Sequence, residues 1–305
     1  MVSTYPVNKQ KYLKMKELIN ISKEKMKTNH KIIFGDSAKV LKTFPDNTFQ
    51  LMVTSPPYWN VRDYGHPDQI GLKDNLKEYL NRINEIWKEV VRTLMPDGKI
   101  ALNIGNIYYT EPDETRRTTA NLSYLLWKQL DDFKELRYMG TIYWKKTTSR
   151  SGAVLFGSYP YPSNFMISSA VEPIHVFRKI GKREVPQDIK EKSKVTLKEF
   201  REFRDAIWDI NGVNDKHVAA YPYELPERFI KMFTFKGDIV LDPFVGSGTT
   251  TKAARDLGRN SVGIDINQEF IKIIKEKAGF NQKNLSEDEV EFEVLHLDKG
   301  KLISK

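Results

Sequence analysis

Residues 239–250 read Ile-Val-Leu-Asp-Pro-Phe-Val-Gly-Ser-Gly-Thr-Thr, an apolar run that ends in a carboxylate and turns over two glycines toward a helix. A continuous apolar run marks a strand covered on both faces, and glycines after it let the backbone approach a ligand closely at a helix N-terminus. A second strand is expected at residues 261–264 and ends at Asp265, where doubly wound folds hold ribose hydroxyls with a carboxylate. Asp242 and Asp265 together point to an adenosine-containing ligand. The turn is not a triphosphate loop, because no Lys-Ser/Thr pair follows the second glycine and the full Gly-x-Gly-x-x-Gly fingerprint is absent.

The rest of the chain keeps the same rhythm. Short apolar runs at 32–34, 51–54, 99–104, 140–145, 170–178 and 238–241 read as strands. Helical periodicity covers 38–44, 76–94, 121–130, 227–234, the stretch from the glycine turn to Leu257, and 269–277. In the long second helix, Leu76, Leu80, Ile83, Ile86, Trp87, Val90, Val91 and Leu94 form the apolar stripe, stopped by Pro96-Asp97-Gly98. The alternation implies an α/β fold, a Rossmann-like doubly wound mixed sheet. There are no internal repeats.

With 49 Lys plus Arg against 40 Asp plus Glu, the net charge of +9 favours a polyanionic partner. The absence of cysteine excludes disulfides, Cys-ligated metals and any cysteine nucleophile. No run of about 18 apolar residues and no cleavable leader is visible, so a cytoplasmic protein with no membrane association is expected.

The apolar run at 51–54 leads into Ser55-Pro56-Pro57-Tyr58-Trp59. Two prolines stiffen this turn, remove two backbone donors and leave carbonyl acceptors, a setting that suits a planar amine beside an aromatic plate. Here the sequence resembles the S-adenosylmethionine-dependent DNA amino-methyltransferases, whose catalytic tetrapeptide is Ser/Asp/Asn-Pro-Pro-Tyr and whose cofactor loop is Asp-Pro-Phe-x-Gly-x-Gly-Thr. The resemblance extends from about Ile32 to Glu276 and takes in Gly35-Asp36, Glu172-x-x-His175-x-Phe177 and His217-x-Ala219-x-Tyr221-Pro222-x-x-Leu225-Pro226. The catalytic motif precedes the cofactor motif, which looks like the circularly permuted beta class of the class I methyltransferase fold.

The resemblance implies that Ser55, Pro56, Pro57 and Tyr58 act on a flipped-out base. Ser55 and the Pro56 carbonyl would accept the protons of its exocyclic amine, while Tyr58 stacks on its ring. It implies S-adenosylmethionine as cofactor: Asp265 on the ribose, Asp36 on the adenine amine, Asp242, Gly246, Gly248 and Thr249 at the methionine end, with Phe244, Thr250 and Pro222 walling the pocket. Methylation of cytosine carbon-5 is excluded, since that reaction needs a thiol. Ser55 in place of Asp resembles the members that methylate cytosine N4. Adenine N6 stays open as the alternative, and behind it a glutamine amide or RNA.

Trp59, Lys145, Lys146, Arg150 and Tyr159 combine cations and aromatics near the expected cleft and are candidates for DNA contact. Glu172 and His175 differ by an odd number of strand positions, so they need not converge, and no metal site is expected. His217 reads as packing or capping. Residues 179–204, with nine basic and five acidic side chains, form a candidate DNA-recognition insert. The expected organisation is a Lys-rich N-terminal extension at 1–30, a catalytic half at 31–178, the insert at 179–215, a cofactor half at 216–280 and a tail at 281–305. Double-stranded DNA, a cognate restriction endonuclease and a second copy of the chain are the expected partners.

Overall fold

The structure is a computed structural model that describes residues 27–111, 113–146, 162, 167, 169–212, 221–280 and 289–304. The Lys-rich start, the loop holding Arg150 and Tyr159, and His217 lie outside the described residues.

Strand β1 (Lys27–Phe34) leads through helix α1 (Ser37–Leu41) to β2 (Phe49–Thr54), and α2 (Leu76–Thr93) then connects to β3 (Leu94–Asn103). Asn75 caps α2 in a reciprocal capping box with Glu78, and the helix buries Tyr79, Ile83, Ile86, Trp87, Val90 and Val91. The helix already ends at Thr93, and Pro96-Asp97-Gly98, expected to stop it, lies inside β3, which begins at Leu94. The chain absorbs the break as an irregularity in the β2–β3 register, with Asp97 at φ 63°.

A hairpin follows, β4 (Ile107–Thr110) and β5 (Arg117–Ala120), then α3 (Leu122–Asp131), β6 (Leu136–Lys145) and β7 (Val171–Lys179). The charged segment holds α4 (Gln187–Lys192), α5 (Leu197–Phe203) and β8 (Ile207–Asp209). The last third contains α6 (Glu224–Phe233), β9 (Ile239–Asp242), α7 (Thr249–Asp256), β10 (Asn260–Asp265), α8 (Ile271–Ala278), β11 (Glu289–Asp298) and β12 (Lys301–Ser304).

Among the described residues, ten strands form one sheet in the order β12-β11-β1-β10-β9-β2-β3-β7-β6-β8. Strand β7 runs antiparallel to both neighbours and β12 antiparallel to β11, while the other pairs are parallel. Alternate residues of the central strands serve opposite faces. Met52, Ile100 and Leu241 pack toward α1, α2 and α3, whereas Leu51, Val53, Ala101 and Val240 pack toward α6 and α7. From β9 the chain moves to β10 on one side, and from β2 it moves to β3 on the other. The β9–β2 boundary is therefore a topological switch point, where open α/β sheets place their ligands.

Two boundaries drawn from the sequence need correcting. Among the described residues the sheet begins at Lys27, and the stretch expected as a tail contributes two strands at 289–298 and 301–304. Val290, Phe292 and Val294 alternate with Glu289, Glu291 and Glu293, so the stretch has strand periodicity despite its charge. It pairs with all eight residues of β1, aided by the Lys27–Glu291 and Lys31–Glu293 ion pairs and a Phe280–Phe292 ring stack at 3.9 Å.

The charged segment is anchored away from the switch point. Arg183 makes a bidentate pair with Asp238 at 3.0 and 2.6 Å, just before β9 begins, and Ser193 Oγ accepts from the Lys236 amide. Glu199 and Glu202 of α5 pair with Lys231 and Arg228 of α6. Arg183, Glu199 and Glu202 thus face neighbouring helices or the N-terminal ends of the parallel strands, while most of the segment's charged side chains are exposed. Among the described residues, no helix is long and apolar enough to cross a membrane.

Candidate active site

The proline turn is built by groups that arrive from four directions. Below it, Thr54 at the end of β2 is fully buried, and its hydroxyl donates to Asp242 Oδ1 at 2.6 Å. From α2, the buried Tyr79 hydroxyl donates to the Pro57 carbonyl at 2.9 Å, so one of the turn's two proline carbonyls is already engaged. Beyond β3, the Gly105 amide donates to the Tyr58 hydroxyl at 3.0 Å. That hydroxyl in turn donates to Glu172 Oε1 of β7 at 3.1 Å. Burial, reinforced by the Glu172 charge, holds the Tyr58 hydroxyl well above its ordinary pKa, so it stays a neutral donor.

The glycine turn is organised by carboxylates. Asp242 Oδ1 also accepts from the Phe244 amide at 3.1 Å, and Oδ2 accepts from Thr250 at 2.6 Å and Tyr221 at 3.0 Å. Its four donors oppose a burial that pushes its pKa up. Gly246 and Gly248 take φ of 48° and 83°, backbone that an L side chain rarely adopts, and a Cβ at Gly248 would press on Ile274 at 3.2 Å. Asp265 ends β10 and accepts from the Gly246 and Asn267 amides at 3.0 and 2.9 Å. Burial raises its pKa to about 6. The adjacent loop is tied in by Ser37, whose hydroxyl donates to the Pro243 carbonyl at 2.6 Å. Asp36 caps α1 through the Lys39 amide at 3.0 Å and still reaches the cavity.

Both turns open into one cavity of about 370 Å3, within the range of small-ligand sites. Ser55, Pro56, Pro57 and Tyr58 line it, as do Asp36, Phe244, Gly246, Asp265 and Lys146. Other expected site residues lie elsewhere. Asp242 and Thr250 are buried beneath the cavity and bonded to each other. Gly248 and Thr249 form the start of α7, and Pro222 is buried beside Tyr221. Trp59, a candidate for DNA contact, is a core residue whose Nε1 donates to the Asp74 carbonyl at 2.8 Å. Lys145 points outward and pairs with Asp209.

The sequence reading gave no site role to Glu172 or Asn103, which the structure brings to Tyr58 and Lys146. Glu172 Oε1 accepts from Lys146 Nζ at 2.6 Å and Oε2 from Asn103 Nδ2 at 3.3 Å. The parity argument does separate Glu172 from His175, which is buried among Ser123 and Thr141 and pushed down to about 4 by desolvation. The available signal was position: Glu172 opens β7, beside the end of β3. No group of three or more His, Asp or Glu arranged to hold a metal ion occurs among the described residues.

A permuted doubly wound sheet with a ligand cavity at its switch point is the architecture of class I methyltransferases. Residues 49–276 match the DNA methylase family, and the chain belongs to it. The type II methyltransferase M.MjaI of Methanocaldococcus jannaschii is 35% identical over 313 residues, covering 90% of this chain and 98% of that protein. Type II methyltransferase M.SmaI of Serratia marcescens is 30% identical, covering 81% of this chain and 90% of that one. Among solved structures, the putative DNA modification methylase TTHA0409 of Thermus thermophilus, in complex with S-adenosyl-L-methionine, aligns at TM-score 0.70 and 31% identity over 86% of this chain and 97% of that one. The PvuII DNA methyltransferase shares the fold at TM-score 0.62 and 22% identity, over 87% of this chain and 92% of that one.

Replacing Thr54 by the near-isosteric Val removes one hydrogen bond to a buried carboxylate. The expected outcome in denaturant unfolding is a loss of about 1.5–3 kcal/mol; no measurable change would mean that the Thr54–Asp242 bond does not tie the two turns together.

Proposed function

We propose that this DNA methyltransferase methylates the exocyclic N4 amine of cytosine in a base flipped out of duplex DNA. It would serve as the modification arm of a type II restriction–modification pair, with a cognate endonuclease acting on the same site and a second copy of the chain as candidate partners. The observation that carries the reading is that Ser55-Pro56-Pro57-Tyr58 and Asp265 open into one cavity from either side of the switch point.

The methyl donor is S-adenosyl-L-methionine, which supplies an electrophilic methyl group on a sulfonium sulfur. The Asp265 end of the cavity fits it, with a buried carboxylate held by two backbone amides, the open glycine turn, and apolar walls at Phe244, Ile266 and Phe270. Asp265 accepts ribose hydroxyls, Asp36 accepts from the adenine amine, and Gly246 allows close approach of the backbone. At the other end, Ser55 Oγ and the Pro56 carbonyl accept hydrogen bonds from the two N–H groups of the base amine. An aromatic amine is a poor nucleophile because its lone pair is conjugated with the ring. Two fixed acceptors favour the pyramidal form in which that pair is available. The ring of Tyr58, held at its hydroxyl, supplies the stacking face.

Ser55 favours cytosine over adenine on the resemblance already drawn. The deciding experiment is mass spectrometry of nucleosides from DNA incubated with the purified protein and S-adenosyl-L-methionine. N4-methylcytosine is expected. N6-methyladenine would keep the mechanism and overturn the base assignment, and no methylated nucleoside with cofactor still bound would move the acceptor to RNA or a protein amide.

Cofactor binding should depend on pH through Asp265. Only the ionised carboxylate accepts from both hydroxyls without a proton in the way, and its pKa of about 6 means that ionisation is lost as pH falls through 6. Calorimetry is expected to give a dissociation constant that is flat above neutrality and rises toward about tenfold per pH unit below 6. An Asp265→Asn variant should bind more weakly with a flat profile, and an unchanged slope in that variant would place the titrating group elsewhere.

A further inference from the structure

The amine-binding turn cannot by itself choose between bases, because cytosine and adenine both present an exocyclic amine next to a ring nitrogen. The two differ one atom further along that edge. Cytosine carries a carbonyl oxygen there, and adenine carries a C–H. A group that reads this position must lie in the cavity, near Ser55 and Tyr58, on the side away from Asp265.

The structure places an ammonium there. Lys146 follows directly after β6 and lines the cavity with Trp144 and Glu172. Strands β3, β7 and β6 lie on the far side of β2 from β10, so this end is separated from Asp265 by the switch point. The Lys146 side chain turns inward. Its Nζ is 2.6 Å from Glu172 Oε1 and 4.7 Å from the centre of the Trp144 ring, and the ion pair is largely withdrawn from solvent, at 29% and 16% side-chain exposure. A lysine that only met phosphates would have no need of a pocket-lining carboxylate. Glu172 is itself fixed by Tyr58 and Asn103, so the position of the ammonium is tied to the position of the stacking ring.

We propose that Lys146, positioned by Glu172, donates to the ring carbonyl of the flipped base and selects cytosine over adenine; this rests on the reading of the cavity as a base-methylating site. An ammonium has three N–H bonds, and an arriving carbonyl oxygen can accept one beside or in place of its present partners. Adenine offers that N–H only a carbon-bound hydrogen, so the hydrogen bond that cytosine gains is missing for adenine.

The test uses the full-length protein, S-adenosyl-L-methionine and unmodified duplex DNA made by amplification, with N4-methylcytosine and N6-methyladenine quantified as nucleosides. Lys146→Met is expected to lower kcat for cytosine about ten- to hundredfold, with little change in cofactor affinity and a rising share of N6-methyladenine. Lys146→Arg, which still donates, should recover part of the cytosine rate. Glu172→Gln keeps an acceptor for Tyr58 but removes the anchoring charge, and should fall between wild type and Lys146→Met. Cytosine methylation at the wild-type rate in Lys146→Met would overturn the proposal. So would a raised KM for DNA with unchanged kcat and a shallower salt dependence, which would make Lys146 a phosphate contact. Should Lys146→Met fail to bind cofactor, the other two variants decide: wild-type product ratios and rates in both would overturn the proposal. Failure of the underlying reading is distinct, since it appears in the wild-type protein as adenine methylation or no methylated nucleoside.

Discussion

The carboxylate of Asp242 accepts hydrogen bonds from Thr54, Phe244, Thr250 and Tyr221, groups on three separate stretches of the chain. A buried carboxylate without such donors would cost several kcal/mol, so the four contacts stand or fall together and fix the geometry of everything attached to them. Thr54 carries the proline turn, Phe244 and Thr250 bracket the glycine turn, and Tyr221 closes the wall between them. Two turns separated by 188 positions in sequence are thereby held as one rigid unit at the ends of neighbouring strands. The reacting groups inherit that rigidity, which is what transfer between two bound molecules requires.

Above this strut the cavity has two chemically different ends. At the Asp265 end, a carboxylate kept partly desolvated faces apolar walls, and burial raises its pKa. The other end is a connected network of Tyr58, Gly105, Glu172, Asn103 and Lys146, in which each group restrains the next. Under the proposed function, a preorganised network at one end and a desolvated carboxylate at the other would suit a site that must fix one ligand's orientation and reward the other's binding.

The strand–turn–helix units were legible because their signals are local: apolar runs of strand length, helical stripes, and the proline and glycine punctuation between them. The cores of α2 and β9 need nothing from elsewhere in the chain to be recognised. What escaped was decided by tertiary contact. Strand β11 reads as charged, and only its partner β1 gives its alternating glutamates an outlet in Lys27 and Lys31. Trp59 follows the proline turn in sequence, yet the chain direction after Tyr58 carries its ring into the core. Glu172 and Lys146 are 26 positions apart, and no spacing rule announces that antiparallel pairing of β6 with β7 brings them together. For Asp242 the residue was identified and its placement was not: the carboxylate supports the cavity from below instead of lining it.

A sheet of ten strands would ordinarily present two long rows of unpaired amides and carbonyls to the outside. Here the outermost strands are β8 and β12, of three and four residues. Among the described residues, β12 covers only Leu295–Asp298 of β11 and β8 only Tyr143–Lys145 of β6, and the rest of each edge is blunted by other means: Glu289, Glu291 and Glu293 along β11, and the register irregularity between Tyr138 and Gly140 in β6. The sheet can therefore be wide enough to carry two ligand-binding turns at its centre while its borders resist elongation into a polymer.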